Sequence, residues 1–276
     1  MLDILAAASW LPLAFFMLLV LAFLVYVLLD GYDLGVGILS WFAKSEEQEI
    51  MLASIAPFWD ANETWLVLTV GLLLVAFPAA SGVILTELYL PVFVMLCGLI
   101  GRGVALEFRH ARNGIHKKQW TRVFAGASLL VALAQGYMLG AFMSGFEDGF
   151  VAHIFYIMVG IGFAFAYALM GSAWLLMKTQ GQISGLFGRL PYALKMSGWK
   201  AFAVIAGIFV FMAVAAAYSI YPHIVPGQLT LEDAAAAPES LAFIFAGAII
   251  TVPLLLAASV YSYVVFHGNT KELYYN

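Results

Sequence analysis

Charge is what this sequence has least of. Only 10% of its 276 residues are charged and 64% are hydrophobic, against about 25% charged and 45–50% apolar in a soluble domain. That imbalance excludes a soluble enzyme and marks an integral membrane protein. The net charge of -4 and the scattered Lys and Arg build no basic face, so nucleic-acid binding is excluded as well. A single cysteine, Cys97, lies in an apolar run, so no intrachain disulfide framework exists. Metal-type Cys/His spacing, a nucleophile elbow and a catalytic-triad pattern are all missing. The fragment "GVG" after Asp33 has neither a preceding strand nor a P-loop lysine, which removes nucleotide binding. No Pro/Ser-rich linker or charge block marks a second domain, and 1–276 reads as one membrane domain. The N-terminal stretch has no Lys or Arg ahead of its apolar run, and that run outlasts a signal peptide's core of roughly 7–15 residues. It reads as a retained transmembrane helix.

What is present is hydrophobic length. A span needs about 20 mostly apolar residues, which predicts an all-α, polytopic bundle of about seven helices at 12–36, 53–77, 82–102, 122–143, 151–177, 200–221 and 240–266. "DAAAAPES" reads as a loop leading into the last helix. Short cytoplasmic loops collect Lys and Arg. All 12 basic residues, from Lys44 through Arg102, Arg109, Arg112, Lys117, Lys118, Arg122, Lys178, Arg189, Lys195 and Lys200 to Lys271, follow odd-numbered spans and so share one side. The N-terminus is thereby placed outside and the C-terminus in the cytoplasm of a bacterial-type inner membrane.

Five acids fall within these spans: Asp30, Asp33, Asp60, Glu63 and Glu87. Ionised carboxylates in hydrocarbon cost several kcal/mol, so they are kept mainly where they face protein, water or a partner charge. Asp30 and Asp33 share a helix face, as do Asp60 and Glu63 with Asn62 beside them, because residues three apart are neighbours on a helix. Both pairs belong to the cytoplasmic half, where antiparallel neighbours could bring them together. Pairing of Asp33 and Glu63 with Arg102 or Arg109 would lock helices. Asp30 and Asp60 sit deeper, with no basic residue near them in sequence, and for them a hydrated proton or ion route is favoured. Glu87 reads as interfacial. Arg102, Glu107 and Arg109, at the end of the third span, read as a structural charge cluster of helix-end ion pairs. Haem between helices usually takes His or Met from deep in the bundle. His110, His116, His153, His223 and His267 all fall near span ends, so no haem ligand is expected here.

Over the stretches "LLDGYDLGVGIL", "SIAPFWDANETWLV", "LIGRGVALEFR", "GSAWLLMKTQG" and "YPHIVP" with the segment that follows, the sequence resembles subunit II of the cytochrome bd quinol oxidases. These stretches occur in the family's order and cover most of the chain. The resemblance implies a heterodimer whose related subunit I holds two haems b and one haem d, takes electrons from quinol and reduces dioxygen to water. Subunit II would bind no cofactor or metal itself, would buttress subunit I, and would help form the proton route from the cytoplasm. Small accessory single-helix subunits are compatible with it. Asp60 matches the family aspartate assigned to that route. Asp30 and Asp33 match those of the first helix, and Glu63 completes the candidate pathway.

One departure stands out. Family members usually have about nine helices, whereas two are missing here between the fifth and the penultimate helix. The first four-helix bundle, 1–143, with its acids is intact, and 144–276 is a shortened second half. A proton- or cation-coupled secondary transporter is the main alternative, since it too would use intramembrane acids. A purely structural assembly subunit is the third reading, in which the acids glue helices together.

Overall fold

The computed structural model describes residues 9–110, 115–179 and 197–266. They form ten helices and one small hairpin: α1 (Leu11–Ser40), α2 (Ser45–Ala53), α3 (Trp59–Ala76), α4 (Pro78–Glu87), α5 (Tyr89–His110), α6 (Ile115–Met143), α7 (Phe150–Thr179), α8 (Gly198–Ile220), β1 (His223–Val225), β2 (Leu229–Thr230), α9 (Leu231–Ala234) and α10 (Pro238–Val265). Among the described residues α1, α5, α6, α7, α8 and α10 are long and apolar enough to cross a membrane. The predicted second span is present as α3, but Asp60, Asn62 and Glu63 in its first turns lower its apolar character. At 18 residues it is roughly 27 Å long, close to the hydrocarbon thickness of a bilayer. Arg112, Arg189, Lys195 and Lys271, used above to sort the loops, and His267, weighed above as a haem ligand, lie outside the described residues.

The predicted third span, 82–102, is displaced. Pro78 has no N–H to continue α3, which stops at Ala76 and gives way to the short helix α4. The true third span starts at Tyr89, seven residues later than predicted, and runs on through Arg102 and Arg109. Glu87 therefore ends a short separate helix and is exposed. The stretch "DAAAAPES" is not plain loop either, since Asp233 and Ala234 belong to α9 and Pro238 opens α10; ahead of it His223–Val225 and Leu229–Thr230 pair antiparallel. Thr230 caps α9 by accepting from the Asp233 N–H, and Ala236 N–H donates to the Ala76 carbonyl at 2.8 Å, tying this corner to the end of α3.

Helix α1 lies at the centre, packed against α3, α6 and α7. Glycine makes the closest of these approaches possible. A Cβ on Gly35 would stand 1.8 Å from the Tyr167 carbonyl oxygen, and one on Gly171 would stand 2.5 Å from Gly35 backbone, so α1 and α7 meet main chain to main chain. The acid-rich motif of α1 thus faces inward because its glycine side is pressed on α7. By contrast α8 and α10 are mostly exposed within this chain.

Candidate functional site

Three helices bring the acids together at one end of the bundle. Asp30 and Asp33, both fully buried, lie in the second half of α1. Glu63 projects from the first turns of α3, and Arg102, also fully buried, comes from the second half of α5. Arg102 Nη1 donates to Asp30 Oδ1 at 2.5 Å, and Nη2 donates to Glu63 Oε1. A planar guanidinium suits this task because its fixed fork can serve two carboxylates at once. Asp30 is therefore not free of basic partners. Its partner lies 72 residues away, out of reach of any local pattern.

Asp33 belongs to a second, adjoining network. Asn62 Nδ2 donates to Asp33 Oδ2 at 2.7 Å and lies 3.0 Å from Tyr32 Oη and 3.2 Å from the Leu29 carbonyl. With only two hydrogens on that nitrogen, the three acceptors share them. Tyr263, from α10, donates to Asn62 Oδ1 at 3.1 Å and is 2.5 Å from Tyr32 Oη. Phe58 stacks on Tyr263 with centroids 4.7 Å apart, and Tyr32 stacks on Trp174 at 4.1 Å. Beside these, Trp65 Nε1 donates to Ser259 Oγ at 3.0 Å, and Lys178 Nζ donates to the Phe266 carbonyl at 2.7 Å. Helix α10 is thus held over the site by polar contacts together with aromatic packing of Tyr263 and Phe266 on Phe58. Further along α1, Gln135 receives from Tyr167 Oη at 2.7 Å and donates to Tyr26 Oη at 2.6 Å, a buried polar relay joining α1, α6 and α7.

Not every polar atom is satisfied. Asp30 Oδ2, Asp33 Oδ1 and Arg102 Nε are buried without a hydrogen-bond partner among the described residues. Buried polar groups are normally paired, so each exception asks for a role.

Asp60 stands in the first turn of α3, nearer the helix end than the predicted span 53–77 placed it. It is exposed, and its carboxylate makes no ion pair or hydrogen bond among the described residues, although Glu63 one turn on feels its charge. The Glu63 side chain is itself 25% exposed. The face shared by the two is turned so that Asn62 points inward, Glu63 lies at the border and Asp60 faces out.

Arg102, Glu107 and Arg109 do not pair with one another. Arg102 turns inward as described, while Arg109 Nη2 bonds Glu49 Oε1 of α2 at 2.7 Å and its Nε donates to Thr121 Oγ1 at 2.9 Å. Lys117 Nζ reaches Glu49 Oε2 at 2.9 Å. Glu107 is exposed and forms no ion pair among the described residues. Partial burial pushes the Glu49 carboxyl up, but Lys117 and Arg109 outweigh it and hold the group below its ordinary range. Sequence reasoning missed Tyr32, Tyr263, Lys178 and Glu49. A tyrosine in "YSYVVF" reads as membrane-belt aromatic, and a lysine after "LLM" reads as a helix-end charge.

Of the histidines whose side chains are described, His116, His153 and His223, none is buried. His116 and His153 are exposed, with His153 held by Tyr137 and Asp148, and His223 sits in the hairpin. Buried Met170 packs against Gly31.

The family model described as cytochrome bd terminal oxidase subunit II matches residues 11–197 and 185–266. The cytochrome bd ubiquinol oxidase subunit 2 of Bacillus subtilis (strain 168) is 35% identical over 127 residues, covering 45% of this chain and 37% of that protein. The cytochrome bd-I ubiquinol oxidase subunit 2 of Escherichia coli (strain K12) is 31% identical over 124 residues, covering 41% of this chain and 32% of that protein. The match thus spans about a third of the length of these curated relatives.

Proposed function

Because the chain belongs to the cytochrome bd terminal oxidase subunit II family, we propose that it is the second, haem-free subunit of a membrane complex that oxidises quinol and reduces dioxygen to water. In this reading the haem-bearing subunit I carries the redox chemistry, and this chain buttresses it and lends it a proton route. The complex lies in a bacterial or archaeal cell membrane, and the acid-bearing end of the bundle is the cytoplasmic one, consistent with the sorting of Lys and Arg.

One observation carries the proton role: buried Asp30 and Asp33 each keep an oxygen unpartnered among the described residues, while Arg102 alone faces Asp30 and Glu63. Carboxylates that outnumber their counter-cation in a low-dielectric site can take up and release a proton, because like charges close together resist ionising at once. Asp60, exposed one turn from Glu63, is the group that meets confined water or subunit I and loads the proton. Glu63, at the border, is its acceptor toward the interior. Arg102 fixes the Glu63 and Asp30 carboxylates in place, and Asn62 orients Asp33.

The test is the visible spectrum of the complex isolated through a tag on this chain. Haem b and haem d bands in a copurifying membrane subunit, with quinol-dependent oxygen uptake, support the reading. A colourless chain that is complete by itself would overturn it and favour a transporter.

A further inference from the structure

Away from the acids, two cavities meet at one tryptophan. The first, about 470 Å³, opens where α1 ends, α2 begins and α6 starts, and Lys44, Lys118 and Arg122 line it. All three are exposed, none is in an ion pair found among the described residues, and no carboxylate lines the cavity. Gln48, also on its wall, spends its amide on the Ser40 and Ala43 carbonyls and so holds the α1–α2 corner open in a fixed shape. The second, about 410 Å³, is an apolar groove on the face between α6 and α7, floored by Ala125 and Ala164 and walled by Leu129, Leu133, Ile161 and Phe165. Trp41 lines both, and its ring lies over Gly126 of α6, where the absent side chain leaves it room.

We propose that this paired cavity binds an anionic phospholipid, its phosphate held by Lys44, Lys118 and Arg122 and one acyl chain laid in the α6–α7 groove. Charge complementarity selects the head: three cations line the cavity wall with no carboxylate on it, the nearby Glu47 carboxylate being turned to the Lys44 backbone N–H at 3.1 Å, and basic pockets between transmembrane helices suit such heads. Length selects the tail. From Arg122 to Leu133 is eleven residues of helix, a drop of roughly 16 Å, which is about half of the ~30 Å hydrocarbon core and therefore one leaflet. Trp41 stands at the junction of polar and apolar walls, where an amphipathic ring belongs at the interface. A soluble anion would use the head cavity alone, and a detergent-like apolar molecule the groove alone.

Native mass spectrometry of the complex purified with its copurifying subunits tests this by titrating phosphatidylglycerol or phosphatidylcholine into delipidated protein. One phosphatidylglycerol per chain is expected to bind saturably, phosphatidylcholine is not, and Lys118→Gln with Arg122→Gln together weaken the bound lipid about thirty-fold, the effect of removing two cations near an anionic head. Leu129→Trp, which fills the groove without touching the cations, weakens it as well. Equal retention of phosphatidylcholine, or unchanged binding after the two charges are neutralised, would overturn the proposal. So would competition by inorganic phosphate at the lipid's own concentration together with an ineffective Leu129→Trp, since that pattern belongs to a soluble-anion site.

Discussion

Arg102 and Asp30 form a buried ion pair with N and O 2.5 Å apart, joining α5 to α1 at the level where Glu63 of α3 also reaches the same guanidinium. Three helices are thereby tied at a single point. The ties are unequal in consequence. Asp30→Asn leaves Arg102 with Glu63 as counter-charge, whereas Arg102→Gln leaves Asp30 and Glu63 both without one. Breaking a buried pair from one side costs about 3–5 kcal/mol, because a charge is left uncompensated. Arg102→Gln is therefore expected to lower the thermal midpoint of the purified complex more than Asp30→Asn does. The double variant should recover part of the loss, as a double-mutant cycle on the same midpoint will read. Equal effects of the two single changes would contradict this geometry.

Gly35 is a packing residue whose replacement has a sharp expected outcome. Its added Cβ meets the Tyr167 carbonyl oxygen at 1.8 Å, and main chain cannot rotate aside as a side chain would. Gly35→Ala should cost more than the roughly 1–3 kcal/mol usual for overpacking, seen as loss of assembled protein on size-exclusion chromatography. Gly71→Ala, with nothing within 4 Å of the new carbon, should leave assembly unchanged.

Glu49 sets a pH dependence outside the membrane-spanning helices. Its carboxyl is held below the ordinary value of 4.5 by Lys117 and Arg109, so folding favours the ionised form. The stabilisation is fully present above that ordinary value and is lost as pH falls through the lower folded-state value. Hydrogen exchange at the α2–α6 corner should accelerate as the medium is acidified below about pH 4.5, and Glu49→Gln should flatten that acid limb of the profile. An unaltered acid limb in Glu49→Gln would assign the dependence to another group.

How legible all this was in the sequence depends on distance along the chain. The first helix and the shared face of Asp30 and Asp33 follow from local periodicity, and the structure keeps both residues on the buried side. Hydropathy closed the third span at Arg102 because the pattern turns polar there, yet the helix continues: the arginine's charge is neutralised inside the bundle by acids from α1 and α3. The same blindness to long-range pairing missed Tyr263, whose partner Asn62 lies 201 residues earlier, whereas Asp60 was placed too far along its span because α3 starts at Trp59 and not at residue 53. Within "GIGFAFAYALMGSAW" only some glycines meet a partner. Gly160 and Gly171 do press on neighbouring backbone, whereas Gly162 meets nothing, because helical phase selects which of a run faces a partner.

Asp60 gives the sharpest separation of proton transfer from architecture. Its carboxylate is exposed and bonded to nothing among the described residues, so Asp60→Asn removes a titratable group while disturbing no contact within the chain. Assembly and haem spectra of the complex are therefore expected to be retained. Quinol oxidase turnover, measured as oxygen uptake across a pH range, should fall by about a hundredfold, the lower end of the roughly 10²–10⁴-fold contribution typical of a positioned proton-transfer group. Asp60→Glu restores the titratable group one methylene further out and should recover part of the rate, which a merely structural aspartate would have no reason to do. Glu63→Gln is the contrasting variant, because it removes the second acid and also releases one arm of Arg102. It should reduce both turnover and thermal stability. Full turnover of an assembled Asp60→Asn complex at every pH would remove this residue from the proton route, and with it the argument that the exposed edge of α3 is where protons enter.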